Sequence, residues 1–110
     1  MLFDLVEIGG EKRPVRFGFN AMAMFGEMTG LKISEIERIT SSMTIQNAIS
    51  LVHCGLKDGA RKAGKPFEYT QMDVADWLDE RTQALSEILG VFVNSQARDV
   101  KKKAGNQNPK

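Results

Sequence analysis

The stretch from Thr44 to Lys65 constrains the fold most, because its apolar residues keep a helical period over several turns. Aliphatic side chains recur there at intervals of three and four residues, which places them on one face of a helix. The members of this stripe are Ile45, Ala48, Ile49, Val52 and Leu56. Leu51 and Cys54 widen the apolar face, so the sequence predicts a central helix that is buried on more than one side.

The two ends of this central helix carry signals of their own. Thr44 is suited to cap the first turn, because its hydroxyl can accept a hydrogen bond from a free backbone amide. Cations crowd the far end, where positive charge complements the exposed carbonyl groups. They are Lys57, Arg61, Lys62 and Lys65. Gly64 and Pro66 predict the end of the helix.

A pair of glycines, Gly9 and Gly10, separates two short strand-like runs near the N-terminus. The runs lie at 2–8 and 13–17, and the glycine pair favours a tight turn, so the sequence predicts a β-hairpin. Pro14 has no amide hydrogen to donate, so the second strand is predicted to begin there or to lie at an edge. A hairpin alone is marginally stable in water, and we expect the helices to support it.

Further helices are predicted by their start and stop signals. Asn20 is suited to cap a helix that Gly30 ends. Two later starts have the form of a capping box, in which a hydroxyl and a carboxylate three residues apart satisfy free amides. These boxes are Ser34 with Glu37, and Thr70 with Asp73. The second box opens a helix with Val74, Trp77 and Leu78 on its inner face.

A last apolar stripe predicts a C-terminal helix, with Gly90 as its weak point. Its members are Leu85, Ile88, Leu89, Phe92, Val93 and Val100. The charged residues at 79–81 either break the preceding helix or let it run on. Residues 101–110 are basic and have nothing to bury, so they are predicted to form a disordered tail.

The predicted fold is α+β and helix-dominant, with an N-terminal β-hairpin packed on a bundle of four to five helices. The 110 residues suffice for one such domain, which we place at residues 1–100. The net charge of +1 hides an asymmetry, because residues 98–110 hold five of the 15 cations and one of the 14 anions. The rest of the chain is therefore mildly acidic. Nucleic-acid-binding domains usually carry positive charge on their body, so this balance argues against such a partner.

The only histidine, His53, adjoins the only cysteine, Cys54. Neighbouring side chains on a helix diverge, so this pair is poorly placed to share a metal ion or to act as a catalytic dyad. A zinc site needs further Cys or His ligands, and the sequence has none. We therefore expect no metal and no cofactor, but a buried thiol and a partly exposed imidazole.

The sequence lacks the pattern of an active site. Asp73 and Asp76 lie in a predicted first helical turn, where carboxylates complement the free amides. Phosphate-binding loops, EF-hand loops and nucleophile-elbow motifs are all absent from the sequence. Lys101–Lys103 offer only weak, salt-sensitive attraction to phosphates or membranes. We expect no enzymatic activity, and neither a nucleic-acid nor a membrane partner.

The sequence also bears on cellular location. Its apolar runs are too short to cross a bilayer. The first ten residues contain Asp4 and Glu7 and lack the basic start of a signal peptide. A single cysteine excludes an intramolecular disulfide, which fits a reducing compartment. We therefore expect a cytoplasmic protein.

The chain contains six methionines, of which Met22, Met24 and Met28 lie on the first predicted helix. Methionine adapts its shape and is favoured on surfaces that bind varied apolar partners. It also fills irregular gaps in ordinary cores. Composition leaves both interpretations open.

Three segments, taken in order, carry a resemblance to a known family. The first is VEIGGEKRPVRFGFNAMAMFGEMTGL at 6–31, the second LVHCGLKDGARKAGKPF at 51–67, and the third YTQMDVADWLDE at 69–80. Over about residues 6–90 the chain resembles the tail assembly chaperones of long-tailed phages and prophages. In the first segment the family's helix pattern is matched by Asn20, Ala21, Phe25, Glu27, Thr29 and Gly30.

The resemblance implies a function without catalysis. Such chaperones bind the long tape-measure protein in the host bacterial cytoplasm, keep it soluble and help to recruit tail tube protein. They are absent from the finished virion. A longer form often arises by ribosomal frameshifting near the end of the short one, and Lys101–Lys103 is compatible with a slippery run of A-rich codons. The gene would contradict this frameshift hypothesis if it lacked a slippery heptamer and an overlapping downstream frame.

The expected partner-binding surface combines the methionine-containing helix with parts of the central and Trp77 helices. Its predicted residues are Met22, Met24, Phe25, Met28 and Trp77. Two other functions remain open, a small DNA-binding or regulatory phage protein and a structural tail completion protein. The apolar stripe at 85–100 also leaves open whether copies of the chain associate.

Overall fold

A computed structural model describes residues 2–36, 38–39 and 42–107 of the chain, with side chains up to residue 96. The helices and strands of this part are β1 Asp4–Ile8, β2 Glu11–Val15, α1 Phe19–Thr29, α2 Ile33–Ile36, α3 Ile45–Lys62, α4 Gln71–Glu80 and α5 Gln83–Gln107. A hairpin thus precedes a set of helices, which confirms the predicted α+β, helix-dominant fold.

The hairpin has the predicted two-glycine turn. Strands β1 and β2 pair antiparallel, with Ile8 opposite Glu11. Gly9 and Gly10 take φ angles of 66° and 84°, the positive values that a tight hairpin turn of the I′ type requires. Strand β2 begins at Glu11, so Pro14 lies within it opposite Leu5. This position is tolerated because each strand of a two-stranded ladder has an unpaired edge.

Helix α3 is the central element, as predicted. The Thr44 hydroxyl caps it by accepting a hydrogen bond from the Asn47 amide at 3.0 Å. Its residues from Ser50 to Leu56 are buried without interruption. Strand β2 and helices α1, α4 and α5 all lie against it. The domain is therefore assembled around this helix.

Two details of the predicted central helix are wrong. Ile45 is 81% exposed, because it is the first residue of α3 and has no earlier turn of that helix beside its side chain. The helix ends at Lys62 rather than at Lys65. Gly64, at φ 74°, reverses the chain, and the Gly64 and Lys65 amides then bond the carbonyl groups of the last turn.

The hairpin sits directly on the backbone of α3 at two glycines. A Cβ atom added to Gly59 would lie 2.3 Å from the Pro14 carbonyl oxygen, and one added to Gly55 would lie 2.4 Å from the Phe17 ring. The Arg16 amide donates to the Gly55 carbonyl at 3.0 Å. Glycine is needed at both positions, because the Pro14 backbone at Gly59 and the Phe17 ring at Gly55 occupy the space that a side chain would take.

The capping predictions for the first two helices are wrong by one residue or more. Helix α1 begins at Phe19, after Gly18, so Asn20 lies inside it, whereas Gly30 ends it in the predicted left-handed conformation. Helix α2 begins at Ile33, so Ser34 also lies inside a helix. The first-turn carboxylate there is Glu35, which accepts from the Lys32 amide at 2.8 Å. Glu37 lies outside the described residues.

The capping box of α4 is confirmed. The Thr70 hydroxyl accepts from the Asp73 amide at 3.1 Å, and the Asp73 carboxylate accepts from the Thr70 amide at 2.9 Å. Helix α4 breaks after Glu80, where Arg81 leaves the helical conformation. The Arg81 guanidinium then bonds both carboxylate oxygens of Glu87 at 2.9 Å, which fixes the start of α5.

Helix α5 covers β1 and the central helix. Ile88 and Phe92 of its predicted stripe are buried, whereas Val93 is 46% exposed. The side chain of Val100 lies outside the described residues. The predicted tail at 101–110 overlaps the last turns of α5 and extends beyond the described backbone, so the domain boundary at residue 100 stays a prediction.

Candidate partner-binding surface

A groove of about 300 Å³ lies between α1 and the C-terminal half of α3. Its apolar part comes from Met24 of α1 and Phe67 of the loop after α3. Cations line it along the α3 side and just past the end of that helix. These are Lys57, Arg61 and Lys65. We call this the basic groove; it joins an apolar surface to an excess of positive charge.

Asp58 lies beside the basic groove and is fully buried. One carboxylate oxygen accepts from the Gly18 amide at 3.0 Å and from Arg16 at 3.1 Å, and the other accepts from Arg61 at 2.9 Å. A buried carboxylate is tolerated when donors satisfy it in this way. Asp58 therefore holds the start of α1 against α3, and its charge is already neutralised from within the protein.

Trp77 is half-buried in a stack that joins α4 to the hairpin. The Arg13 guanidinium lies over the rings of Trp77 and Tyr69, with its central carbon 4.3 and 5.0 Å from their centroids. Arg13 also donates to the carbonyl groups of Ile8 and Gly9 at 2.9 and 3.0 Å. These cation–π contacts and hydrogen bonds hold the indole in one position.

His53 is buried, which corrects the prediction of a partly exposed imidazole. Its Nε2 lies 2.9 Å from the Tyr69 carbonyl oxygen, and since a carbonyl oxygen only accepts, Nε2 carries the proton. The ring meets Phe67 edge to face, with centroids 5.6 Å apart. Its Nδ1 has no hydrogen-bond partner among the described residues. The imidazole holds the loop after α3 against the central helix.

Cys54 is fully buried, as predicted. Burial raises the pKa of its thiol from 9.0 to about 11, against a smaller lowering by the positive charge of Lys57. The thiol donates to the Met28 sulfur at 3.6 Å. At neutral pH it is therefore a protonated, unreactive packing group. In the part of the chain that the structure describes, no cluster of three or more His, Cys, Asp or Glu side chains could hold a metal ion.

The predicted partner-binding residues occupy different environments. Phe25 is fully buried, so it supports α1 from beneath and offers no surface to a partner in this conformation. Met22 and Met24 are half-buried, and only Met24 of these lines the basic groove. Met28 is 46% exposed. Trp77 connects with the groove through Phe67, whose ring centroid lies 6.5 Å from that of the indole.

A second apolar surface lies where α3 and α4 begin side by side. Gln71 joins them, since its carboxamide oxygen accepts from Gln46 at 2.7 Å and its nitrogen donates to the Met28 sulfur at 3.5 Å. In the chain, Ile45 directly precedes Gln46 and Met72 directly follows Gln71, and they are 81% and 76% exposed. We call Met28, Ile45 and Met72 the apolar edge.

The sequence alone does not reveal the basic groove. In the sequence, its cations are explained by the exposed carbonyl groups at the end of a helix, and Phe67 falls in a predicted loop. The four-residue spacing of Lys57 and Arg61 was the available signal, because it keeps both charges on one side of a helix. Lys65 lies beyond the last residue of α3, after the turn at Gly64, so helical spacing does not place it there. Pairing that side with Met24 depends on how α1 packs, which no local pattern specifies.

Comparison of the chain with protein-family models, with curated proteins and with solved structures found no match. Among the helices of residues 2–36, 38–39 and 42–107, none has the length and apolarity needed to span a membrane.

Proposed function

We propose that this protein is an assembly chaperone without enzymatic activity, which binds a partner protein through apolar side chains. The observation that carries the proposal is the meeting of the three family-like segments at one point. Met28 of the first segment contacts Cys54 of the second at 3.6 Å and Gln71 of the third at 3.5 Å. The segments that carry the resemblance therefore meet at Met28, which is 46% exposed, and Ile45 and Met72 are exposed at the starts of α3 and α4.

The particular client that the resemblance implies is a phage tape-measure protein. Such a protein is long and rich in apolar helical stripes, which aggregate unless they are covered. Methionine side chains adapt to many similar stripes without one fixed register. Met28 and Met72 supply such a surface on the apolar edge. Recruitment of tail tube protein, the host cytoplasm as the site of action and absence from the virion belong to the same proposal.

Co-expression with a tape-measure fragment tests this function. We expect the fragment to move from the insoluble to the soluble fraction when this protein is present, and to co-purify with it. A matched control uses Lys12→Glu, which alters an exposed residue of the hairpin. The proposal fails if the fragment is equally insoluble with and without the protein. Recovery of the protein from purified virions would favour a structural tail component instead.

A further inference from the structure

We infer that the basic groove binds an amphipathic helix whose apolar stripe is flanked by acidic residues. The inference rests on the proposed function in that the helix belongs to a client protein. It extends that function by assigning a second surface, distinct from the apolar edge, and the chemical character of what binds there. Helices with an apolar face commonly dock into grooves between helices, where a few side chains provide most of the contact.

The size and lining of the groove fit such side chains. Its volume of about 300 Å³ lies at the lower end of ligand pockets, which take up about 300–1,000 Å³. Met24 provides an adaptable apolar contact and Phe67 a rigid one. A small polar ligand would leave both unused, whereas the apolar face of a helix would cover them.

The cations of the groove are not needed to satisfy the free carbonyl groups at the end of α3. The Gly64 amide bonds the Arg61 carbonyl at 3.1 Å, and the Lys65 amide bonds the Ala60 carbonyl at 2.8 Å. These backbone bonds satisfy carbonyl groups that lysine side chains would otherwise complement. Lys57 lies more than one turn before the last residue of α3, where the helix dipole acts only weakly.

The groove also has more positive than negative charge. Asp58 is already paired with Arg16 at 3.1 Å and Arg61 at 2.9 Å. Lys57 and Lys65 are exposed and have no ion-pair partner within the described ranges. Carboxylates on a partner would complement these free cations. Arg61 is bonded to Asp58, but 51% of its side chain stays exposed, and it lies about 6 Å from Lys57 along α3. A helix lying alongside repeats its own charges at a similar spacing.

Charge complementarity also favours an acidic amphipathic helix over other occupants of the groove. The protein's own C-terminal segment is basic, with five cations and one anion in residues 98–110, so it would be repelled. A nucleic acid would contact the cations and leave Met24 and Phe67 uncovered. An acidic amphipathic helix uses the cations and the apolar contacts together.

The test uses three labelled synthetic helices of equal length and fluorescence anisotropy at low and at physiological salt. The first has a leucine stripe flanked by glutamates, the second has lysines in place of the glutamates, and the third scrambles the first. We expect the first to bind about tenfold more tightly than the second, because its glutamates attract the exposed cations of the groove and the lysines of the second peptide are repelled by them. Equal binding of the scrambled peptide or of a single-stranded oligonucleotide would overturn the inference, since either would indicate attraction of any anion.

Two double variants of equal charge provide the control. Lys57→Glu with Lys65→Glu should reverse the preference between the acidic and basic peptides. Lys12→Glu with Lys62→Glu changes the net charge equally at exposed positions that do not line the groove, and should leave the preference unchanged. An equal loss in both double variants contradicts the inference. If either charge-reversal variant fails to unfold cooperatively, the same comparison is made with methionine in place of glutamate.

The groove inference and the chaperone proposal can fail independently in these experiments. If a tape-measure fragment stays soluble with this protein but no acidic helix binds, the groove inference is wrong and the chaperone proposal stands. If the acidic helix binds and the groove variant reverses the peptide preference, but the fragment stays insoluble, the chaperone proposal is wrong and the groove inference stands.

Discussion

Asp58 shows how one buried side chain joins three parts of the chain. It accepts hydrogen bonds from the Gly18 amide, from Arg16 after the hairpin and from Arg61 on its own helix. Such a carboxylate fixes geometry more than it adds free energy, because desolvation offsets much of the attraction. Its loss, however, leaves two guanidinium groups facing each other without a counter-charge.

Asp58→Ala is therefore predicted to destabilise the domain by about 3 kcal/mol, since breaking a buried ion pair strands the remaining charges. Urea unfolding followed by circular dichroism measures the change. Asp79→Ala is the matched control, because Asp79 is exposed near the end of α4 and should change stability little. Equal midpoints for the two variants would show that the buried network contributes nothing.

Cys54 gives a prediction about pH. Burial raises the pKa of its thiol to about 11 from an ordinary 9.0, so between these values the folded protein holds a proton that the unfolded chain releases. The stability due to this group is present below pH 9 and is lost as the pH rises towards 11. Wild-type protein should lose stability over this range more steeply than Cys54→Ala. Parallel pH profiles for the two proteins would contradict the assignment.

The burial of the same thiol predicts that it reacts slowly with thiol reagents in the native state. At pH 8 a thiol reagent should modify Cys54 slowly in buffer and rapidly in urea, because unfolding removes the burial that keeps the group protonated. The absorbance of the released chromophore measures both rates. Equally fast modification in buffer would mean that the thiol is accessible.

At the scale of elements, α3 carries the core, and a charge on its buried face should unfold the domain. Val52 is fully buried, so Val52→Asp places an unpaired carboxylate in the core and is predicted to cost more than about 4 kcal/mol. Ile45→Asp makes the same kind of change on the same helix at a residue that is 81% exposed. It should leave the melting temperature nearly unchanged, because a carboxylate in a first turn also complements the free amides.

A melting curve of normal midpoint for Val52→Asp would place α3 at the periphery and contradict the architecture. An equal loss of stability in Val52→Asp and Ile45→Asp would also contradict it, because the exposed position should tolerate the charge.

Replacing glycine by alanine should have opposite effects on stability at two positions, Gly59 of α3 and Gly90 of α5. Gly59→Ala should destabilise by about 2 kcal/mol, because the new methyl group would meet the Pro14 carbonyl oxygen at 2.3 Å and push the hairpin away. Gly90→Ala should stabilise by roughly 0.5–1 kcal/mol, because a Cβ there meets nothing within 4 Å. Thermal unfolding of the two variants gives the signs, and equal signs would contradict the hairpin docking.

Local signals predicted most of the elements but not the caps at Asn20 and Ser34, and several other misses depend on long-range contacts. The caps at Thr44 and Thr70 and the turn at Gly9 depend on a few neighbouring residues, so the sequence specifies them. The exposure of Ile45 depends on how far the neighbouring elements reach, which a periodic pattern does not encode. The stacking of Arg13 on Trp77 joins residues far apart in the chain, and no local pattern indicates it.

At the scale of the whole molecule, the candidate surfaces lie around the contacts of α3 with its neighbours. The apolar edge joins the starts of α3 and α4 to the end of α1, and the basic groove follows the far half of α3. Sequence identified the methionines of α1 as candidates, whereas packing separates buried Phe25 from exposed Met28. A client with apolar stripes and acidic flanks would engage both surfaces.

The central claim is that this protein keeps an apolar client in solution, and light scattering tests it most directly. A purified tape-measure fragment is diluted from denaturant into buffer with increasing amounts of the protein. We predict that scattering falls as the protein is added and that Met28→Glu with Met72→Glu weakens this effect, because both side chains are exposed on the apolar edge. Scattering that is unchanged at every amount of folded wild-type protein would contradict the claim.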